Sequence, residues 1–167
     1  MKTQFVELSL PTPDGEFTAR YSEKGLAEMD FPNGRTELPL GRDARLRVPT
    51  TVSRWHRATK AALKNILAGR AAINLPPLDL SGGTEFQQAV WRELRKISPG
   101  ETRSYGEIAQ AIGKPKAVRA VGGACGANPV PVLVPCHRVL AAHGKIGGFG
   151  GGLDWKRRLL AREGVSL

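Results

Sequence analysis

The sequence predicts a mixed α/β (α+β) protein: a small N-terminal antiparallel β-sheet domain with a helix, then a mainly helical C-terminal domain with a helix-turn-helix and short strands. Three observations predict it. Alternating apolar segments broken by Pro, Asp and Gly fill the first 31 residues, two capping boxes open helices after residue 83, and an apolar run leads into a cysteine at 136 that is held between a proline and a histidine.

The first segments, Phe5 to Leu10, Phe17 to Tyr21 and Leu26 to Phe31, are separated by Pro11-Thr-Pro-Asp-Gly15 and Glu23-Lys-Gly25, which read as turns of an antiparallel sheet. Residues 32 to 49, rich in Gly, Pro and Arg, read as a loop. Thr51 is placed to cap a helix over Val52 to Leu67, with Trp55, Ala58, Ala62 and Ile66 near one face. Leu75 to Leu80 reads as a short extended piece, and Ser81-Gly82-Gly83 as a linker. The expected division is therefore 1–80, a supporting domain, and 81–167, the domain that carries the chemistry.

Thr84 and Gln87 form a capping box ahead of Phe86, Val90 and Leu94, and Pro99-Gly100 stops that helix. Ser104 and Glu107 form a second box, opening a helix that ends at Gly113. A further helix is expected from Lys116 to Ala124, giving a helix-turn-helix candidate. Its Gly122 and Gly123 cost about 1 kcal/mol each relative to Ala, a cost tolerated where a backbone must come close to something. Val130 to Val134 reads as a buried strand, and Val139-Leu140 as a second that turns near His143-Gly144. Gly147 to Gly152 is too glycine-rich for regular structure and can wrap closely round a ligand. The last helix, Leu153 to Arg162, should bury Leu153, Leu159 and Leu160 and end at Gly164.

Composition bounds the function. With 41% hydrophobic and 24% charged residues the chain is that of a soluble globular protein. No apolar run is long enough to span a membrane, and Met1 to Phe5 lacks a signal peptide's apolar core, so a cytoplasmic location is expected. Two cysteines are too few for a disulfide scaffold, and no Cys/His cluster has zinc spacing. The net charge of +10 points to a polyanionic partner. Residues 84 to 167 carry thirteen Lys/Arg against six Asp/Glu, so the excess is concentrated in the half that holds Cys136.

Each candidate residue has a plain reading beside a chemical one. Cys136 and His137 can be a buried small hydrophobe beside a surface imidazole. Adjacent residues on an extended chain point to opposite faces, so direct contact between them needs a sharp turn or a bridging water. Glu163 can be a solvated end residue paired with Arg162 or Lys156, or the carboxylate that orients His137 while His137 deprotonates the thiol. A free thiol titrates near 8.5, so one of these aids is needed at neutral pH. Arg119 can be a surface arginine, or a long cation on a small-residue helix able to enter a base stack. Tyr105 can be an ordinary half-buried tyrosine, or a ring and hydroxyl for an extruded base.

Asn128-Pro-Val-Pro-Val-Leu-Val-Pro-Cys-His-Arg-Val139, preceded by Arg119-Ala-Val-Gly-Gly123 and Ser104-Tyr105, resembles the O6-alkylguanine-DNA alkyltransferase family, the methylated-DNA–protein-cysteine methyltransferases. The match is close over about residues 75 to 164 and general in layout before that. The resemblance implies direct repair of double-stranded alkylated DNA by irreversible, stoichiometric transfer of the alkyl group from O6-alkylguanine to Cys136, with O4-alkylthymine left open. It implies His137 as base through a water, Glu163 holding His137, and Tyr105 assisting the leaving guanine at N3. Ser104, Lys116, Ala117, Arg119, Gly122 and Gly123 would face the minor groove, with Arg119 replacing the extruded nucleotide. Asn128 would be a hinge, and Pro131, Val139, Phe149 and Gly150 would line the pocket. The carbonyls of Cys136 and Val139 would accept from the guanine amino group, and the Gly150 N–H would lie near O6. No cofactor and no metal are implied, and the acting unit would be a monomer, with cooperativity on DNA open.

Two departures from the family pattern stand out. Phe149 occupies a position where many relatives have tyrosine, and the metal-binding residues of some relatives' N-terminal domains are missing. Other readings are a non-catalytic alkyltransferase-like protein that binds damaged bases, against which Cys136 argues, and a helix-turn-helix regulator, which gives Glu163 and the glycine loop no role. A cysteine hydrolase lacks a readable oxyanion site.

Overall fold

The computed structural model describes residues 4–32 and 47–167. Strands β1 (Val6–Thr12), β2 (Gly15–Ser22) and β3 (Gly25–Asp30) form an antiparallel sheet in the order β1-β2-β3, as the alternating segments require. Period-2 alternation puts Phe17, Ala19 and Tyr21 of β2 on one face, and all three are buried. Helix α1 (Thr50–Leu67) lies against the sheet through Val52, Thr59, Ala62, Leu63 and Ile66, and the buried Tyr21 hydroxyl donates to Thr59 Oγ1 at 2.9 Å. The expected loop at 32–49 lies mostly outside the described residues. Thr51 does not cap α1: Pro49 stands at the cap in extended conformation, its carbonyl takes the first helical hydrogen bond from Ser53 N–H, and Thr51 is already inside the helix. The extended piece before residue 81 bridges β3 in parallel through Leu78 and Leu26.

Helix α2 (Glu85–Leu94) and helix α3 (Tyr105–Ala111) both start on complete capping boxes, Thr84 with Gln87 and Ser104 with Glu107. Each box satisfies two otherwise orphaned backbone donors, which is why these starts follow from the sequence alone. Gly113 takes φ +74 after α3, and α4 (Val118–Gly126) follows. This helix starts two residues later than expected. Ala117 N–H closes a turn on Lys114 O, so Lys116 and Ala117 belong to the connection rather than to the helix. Val121, Ala124 and Cys125 bury one side of α4, and Trp91 of α2 ties it down by donating Nε1–H to Ala124 O at 2.8 Å.

Val130 to Val134 is a tight turn, not a strand. Prolines at 129, 131 and 135 remove ladder donors, Val134 N–H bonds back to Val130 O at 3.0 Å, and Val132 sits at φ +74. A β-branched residue in that region is strained and persists only where its surroundings enforce it. Asn128 enforces it, donating Nδ2–H to Val134 O at 2.8 Å and accepting from Val130 N–H at 3.0 Å. A single 3-10 turn, Cys136–Arg138, follows, then β5 (Val139–Leu140). Strand β5 pairs in parallel with β4 (Arg103–Ser104), setting the start of α3 beside the end of the cysteine turn. After the glycine-rich loop, α5 (Leu153–Arg162) closes the chain. Leu153 is 38% exposed and is not part of its buried face. Trp155, Lys156, Leu159 and Leu160 are, because they point at the cysteine turn and at the N-terminal aromatics.

Most of the buried apolar residues form one cluster that runs from Leu10 and Phe17 of the sheet to Trp155 and Leu159 of α5. Phe31, just past β3, stands 5.1 Å from Trp155 and 5.6 Å from Phe149, ring centre to ring centre. No helix among the described residues is long and apolar enough to cross a membrane.

Candidate active site

Cys136 and His137 are both buried, and the 3-10 turn lets them leave the chain without the strict opposition of an extended strand. No hydrogen bond joins the imidazole to the thiol. His137 Nε2 meets Glu163 Oε1 at 3.0 Å, across 26 residues of sequence. Glu163 caps α5 with a side chain only 1% exposed, so the reading of a solvated end residue fails, and neither Arg162 nor Lys156 is its partner. Its second partner is Arg138, whose Nη2 and Nε donate to the carboxylate at 2.7 to 3.2 Å while Nη1 donates to Ile97 O at 2.6 Å.

These contacts fix the protonation states. Burial alone would raise the Glu163 pKa, but the hydrogen bonds of His137 and Arg138 and the charge of Arg138 outweigh it and hold the carboxyl down at about 2. An ionised carboxylate only accepts, so His137 carries its hydrogen on Nε2. Burial lowers the His137 pKa against the pull of Glu163, leaving a neutral ring at neutral pH. Nδ1 is then a bare acceptor, buried and without a hydrogen-bond partner among the described residues. That is the electronic state a general base requires. Burial also pushes the Cys136 thiol up, opposed by the Asn128 amide, the Lys156 ammonium and nearby backbone N–H groups. The thiol therefore rests neutral and becomes a nucleophile only when its proton has somewhere to go.

Cys136 lines a cavity of about 240 Å³ together with Tyr105, Gly122, Cys125, Phe149 and Gly150. The β4–β5 pairing brings Tyr105 here, and the glycine loop passes over its ring. Gly147 has φ +69, and a methyl group there would sit 2.9 Å from the Tyr105 hydroxyl, so only glycine allows this approach. Burial raises the Tyr105 pKa, with the two thiols adding to it and a hydrogen bond from Gly148 opposing it. A larger recess of about 560 Å³, which shares Cys125, Cys136 and Phe149 with that cavity, is walled further by Met29, Phe31, Asn128, Pro131 and Trp155. Its wall thus includes residues from both ends of the chain. Val139 O already accepts from Lys156 and Cys136 O from Val139 N–H, which leaves each carbonyl one lone pair.

The outer face of α4 is open. Arg119 is exposed and forms no ion pair with a described residue, and a methyl group built on Gly122, Gly123 or Gly126 would meet nothing within 4 Å. Ser104, half-buried, is engaged in its capping box. Arg138 and Lys156 are the site residues that sequence reasoning passed over, because Arg and Lys are read as surface groups by default. Position offered a clue for both: Arg138 shares the turn with His137, and Lys156 lies seven residues before Glu163, two helical turns along the same face.

The family model described as 6-O-methylguanine DNA methyltransferase, DNA binding domain, matches residues 85–165. The methylated-DNA–protein-cysteine methyltransferase of Haemophilus influenzae is 55% identical over 165 residues, covering 93% of this chain and 84% of that one. The chain belongs to the methylated-DNA–protein-cysteine methyltransferase family. Its likeness to the member from Mycolicibacterium paratuberculosis is 63% over 86 residues and spans 52% of each chain. The solved structure of Mycobacterium tuberculosis OGT in complex with DNA superposes with a TM-score of 0.74 at 38% identity, over 94% of this chain and 91% of that one. Membership accounts for the helical C-terminal architecture and for the smaller sheet-and-helix part that precedes it.

Proposed function

We propose that this chain repairs DNA directly, transferring the alkyl group of O6-alkylguanine irreversibly to its own Cys136. The observation that carries this reading is the buried thiol beside a neutral His137 whose Nε2–H is spent on Glu163 and whose Nδ1 is bare. In the proposed step, His137 Nδ1 takes the thiol proton through a water. The sulfur then attacks the alkyl carbon, the S–C bond forms as the C–O6 bond breaks, and the electron pair stays on the guanine. Tyr105, which keeps its proton because burial raises its pKa, donates a hydrogen bond to N3 as that charge develops. The remaining lone pairs of Cys136 O and Val139 O accept from the guanine amino group, and the Gly150 N–H faces O6. The thioether has no ready hydrolytic route back, so each molecule acts once.

The partner is double-stranded DNA. We assign the open face of α4 to the minor groove, with Arg119 filling the gap left by the extruded nucleotide, Gly122 and Gly123 permitting close approach, and Lys116, Ala117 and Ser104 flanking it. Extrusion costs a few kcal/mol, part of which an inserted side chain offsets. Asn128 links α4 to the cysteine turn as the hinge. Residues 81–167 bind DNA and accept the alkyl group, and residues 1–80 support them. Each chain holds the whole set of site residues, so the acting unit is a monomer. We place the reaction in the cytoplasm, where a reduced thiol persists.

The test is incubation with a duplex containing O6-methylguanine, followed by intact-mass and peptide mapping. One methyl group per chain on the Cys136 peptide is expected. No adduct, or one confined to Cys125, refutes the assignment. A non-catalytic damaged-base binder is not favoured, since position 136 holds a nucleophile.

A further inference from the structure

Lys156 sits beside Arg157 and Arg158 in a basic helix, yet its side chain is fully buried while theirs are exposed. Its ammonium donates to Val139 O at 2.6 Å and to Gly148 O at 3.1 Å. The ion pairs that α5 and its cap make with described residues run through Asp154, Arg157, Arg158, Arg162 and Glu163, none through Lys156. A buried ammonium held only by carbonyl dipoles is costly, and proteins keep such groups where an anion forms or a charge is used. Gly148, which the ammonium holds, lines the same cavity as two buried thiols able to take a negative charge, Cys136 of the 3-10 turn and Cys125 of α4.

Lys156 and Glu163 are seven residues apart, so they project from one face of α5, two turns apart. Glu163 holds His137 and Arg138, and Lys156 holds Val139, so α5 grips the acceptor turn at both ends. The bond to Gly148 adds the loop that carries Phe149 and Gly150, two walls of the cavity.

We propose that Lys156 is a positioning residue for alkyl transfer: it ties the Gly148 wall to Val139 and offsets the negative charge that Cys136 takes on as its proton leaves. This rests on the reading of Cys136 as acceptor. The sulfur is neutral as thiol, negative once His137 has taken the proton, and neutral again as thioether, while the ammonium keeps its charge throughout. It therefore favours the charged stage over both neutral ones. Among the other groups around Cys136, Arg138 is engaged by Glu163, Tyr105 and Cys125 are neutral or anionic, and Asn128 contributes only a dipole, while His137 becomes positive only by taking this proton, so Lys156 supplies the positive charge that is already present before the proton moves.

The test uses the full chain without DNA, in a Cys125→Ala background so that one thiol reports. The rate of Cys136 alkylation by iodoacetamide is followed against pH in the parent, in Lys156→Gln, which keeps N–H donors and loses the charge, and in Lys156→Arg, which keeps the charge. Lys156→Gln should raise the pH midpoint by at least about one unit, and Lys156→Arg should leave it near the parent value. Should the glutamine variant fail to fold, as judged by its near-ultraviolet circular dichroism, Lys156→Met is measured in its place with the same expectation. An unchanged midpoint in the neutral variant overturns the proposal even if transfer from an O6-methylguanine duplex falls, because a misplaced loop alone leaves the thiol titration where it was. Absence of methyl transfer in the wild type would instead overturn the reading of Cys136 while the titration still reports on Lys156.

Discussion

Substituting Glu163 by glutamine removes one charge from a carboxylate that both His137 and Arg138 use, and the two uses separate in a double variant. Arg138 is 5% exposed, so in Glu163→Gln its guanidinium is left buried with only the Ile97 carbonyl and an amide oxygen. Stranding one member of a buried pair costs about 3–5 kcal/mol, a large fraction of the roughly 5–15 kcal/mol that holds a domain together. Adding Arg138→Met removes the stranded cation and leaves the Ile97 carbonyl as the main debit, about 1–3 kcal/mol. Stability measured by urea unfolding should thus fall sharply in the single variant and partly recover in the double. Single-turnover transfer from an O6-methylguanine duplex should behave differently. Without an obligate acceptor on Nε2, the ring no longer keeps Nδ1 bare, and loss of a general base is worth about 10²- to 10⁴-fold in rate. The rate should stay low in both variants. Recovery of transfer together with stability would refute the reasoning, since Glu163 would then serve folding alone.

Acid should expose the same carboxylate. Its folded pKa of about 2 lies below the ordinary 4.5, so its contribution is fully present above 4.5 and is lost as pH falls from there through 2, a total of about 3 kcal/mol. The His137 pKa is also lowered, so protonation of the unfolded chain begins the same loss from 6.5 downward; the gap in urea midpoint between wild type and Glu163→Gln should narrow below pH 4.5. Asn128→Ala deletes the bonds to Val134 O and Val130 N–H that hold Val132 at φ +74, and urea unfolding should show a loss of about 2–4 kcal/mol. Arg119→Ala should slow repair in duplex DNA by tenfold or more, an order taken from the few kcal/mol of base extrusion. It should leave reaction with a free O6-alkylguanine base nearly unchanged, and equal losses in single-turnover assays would count against insertion into the base stack.

Local chemistry was readable without the structure. The boxes at Thr84–Gln87 and Ser104–Glu107, the turns at Gly15 and Gly25 and the three strands depend on neighbours in sequence, and they form as the residues alone suggest. The pairing of His137 with Glu163 was open in the sequence only as one of two readings of Glu163, because 26 residues and a helix separate them. Val130 to Val134 has a strand's composition, and what overrides it is the side chain of Asn128 acting across the turn. The inner face of α5 depends on what lies opposite. Periodicity suits Leu153 as well as Trp155, and the rings of Phe17 and Phe31 decide for Trp155. Lys156 is hard to read from the sequence because its partners are backbone carbonyls, which every residue supplies, and Arg138 because the carboxylate that holds it, Glu163, lies 25 residues on.

The ring of Phe31 bears on whether the chain can be divided. It belongs to the N-terminal side of the expected boundary near residue 80, while Phe149 and Trp155, against which it rests, belong to the other side. Gly151 makes the contact tighter still, since a methyl group there would lie 2.6 Å from the same ring. A cut at the boundary would leave every side chain assigned to the chemistry on one fragment. That fragment would have two aromatic rings facing water and no buttress under the loop that closes over Cys136.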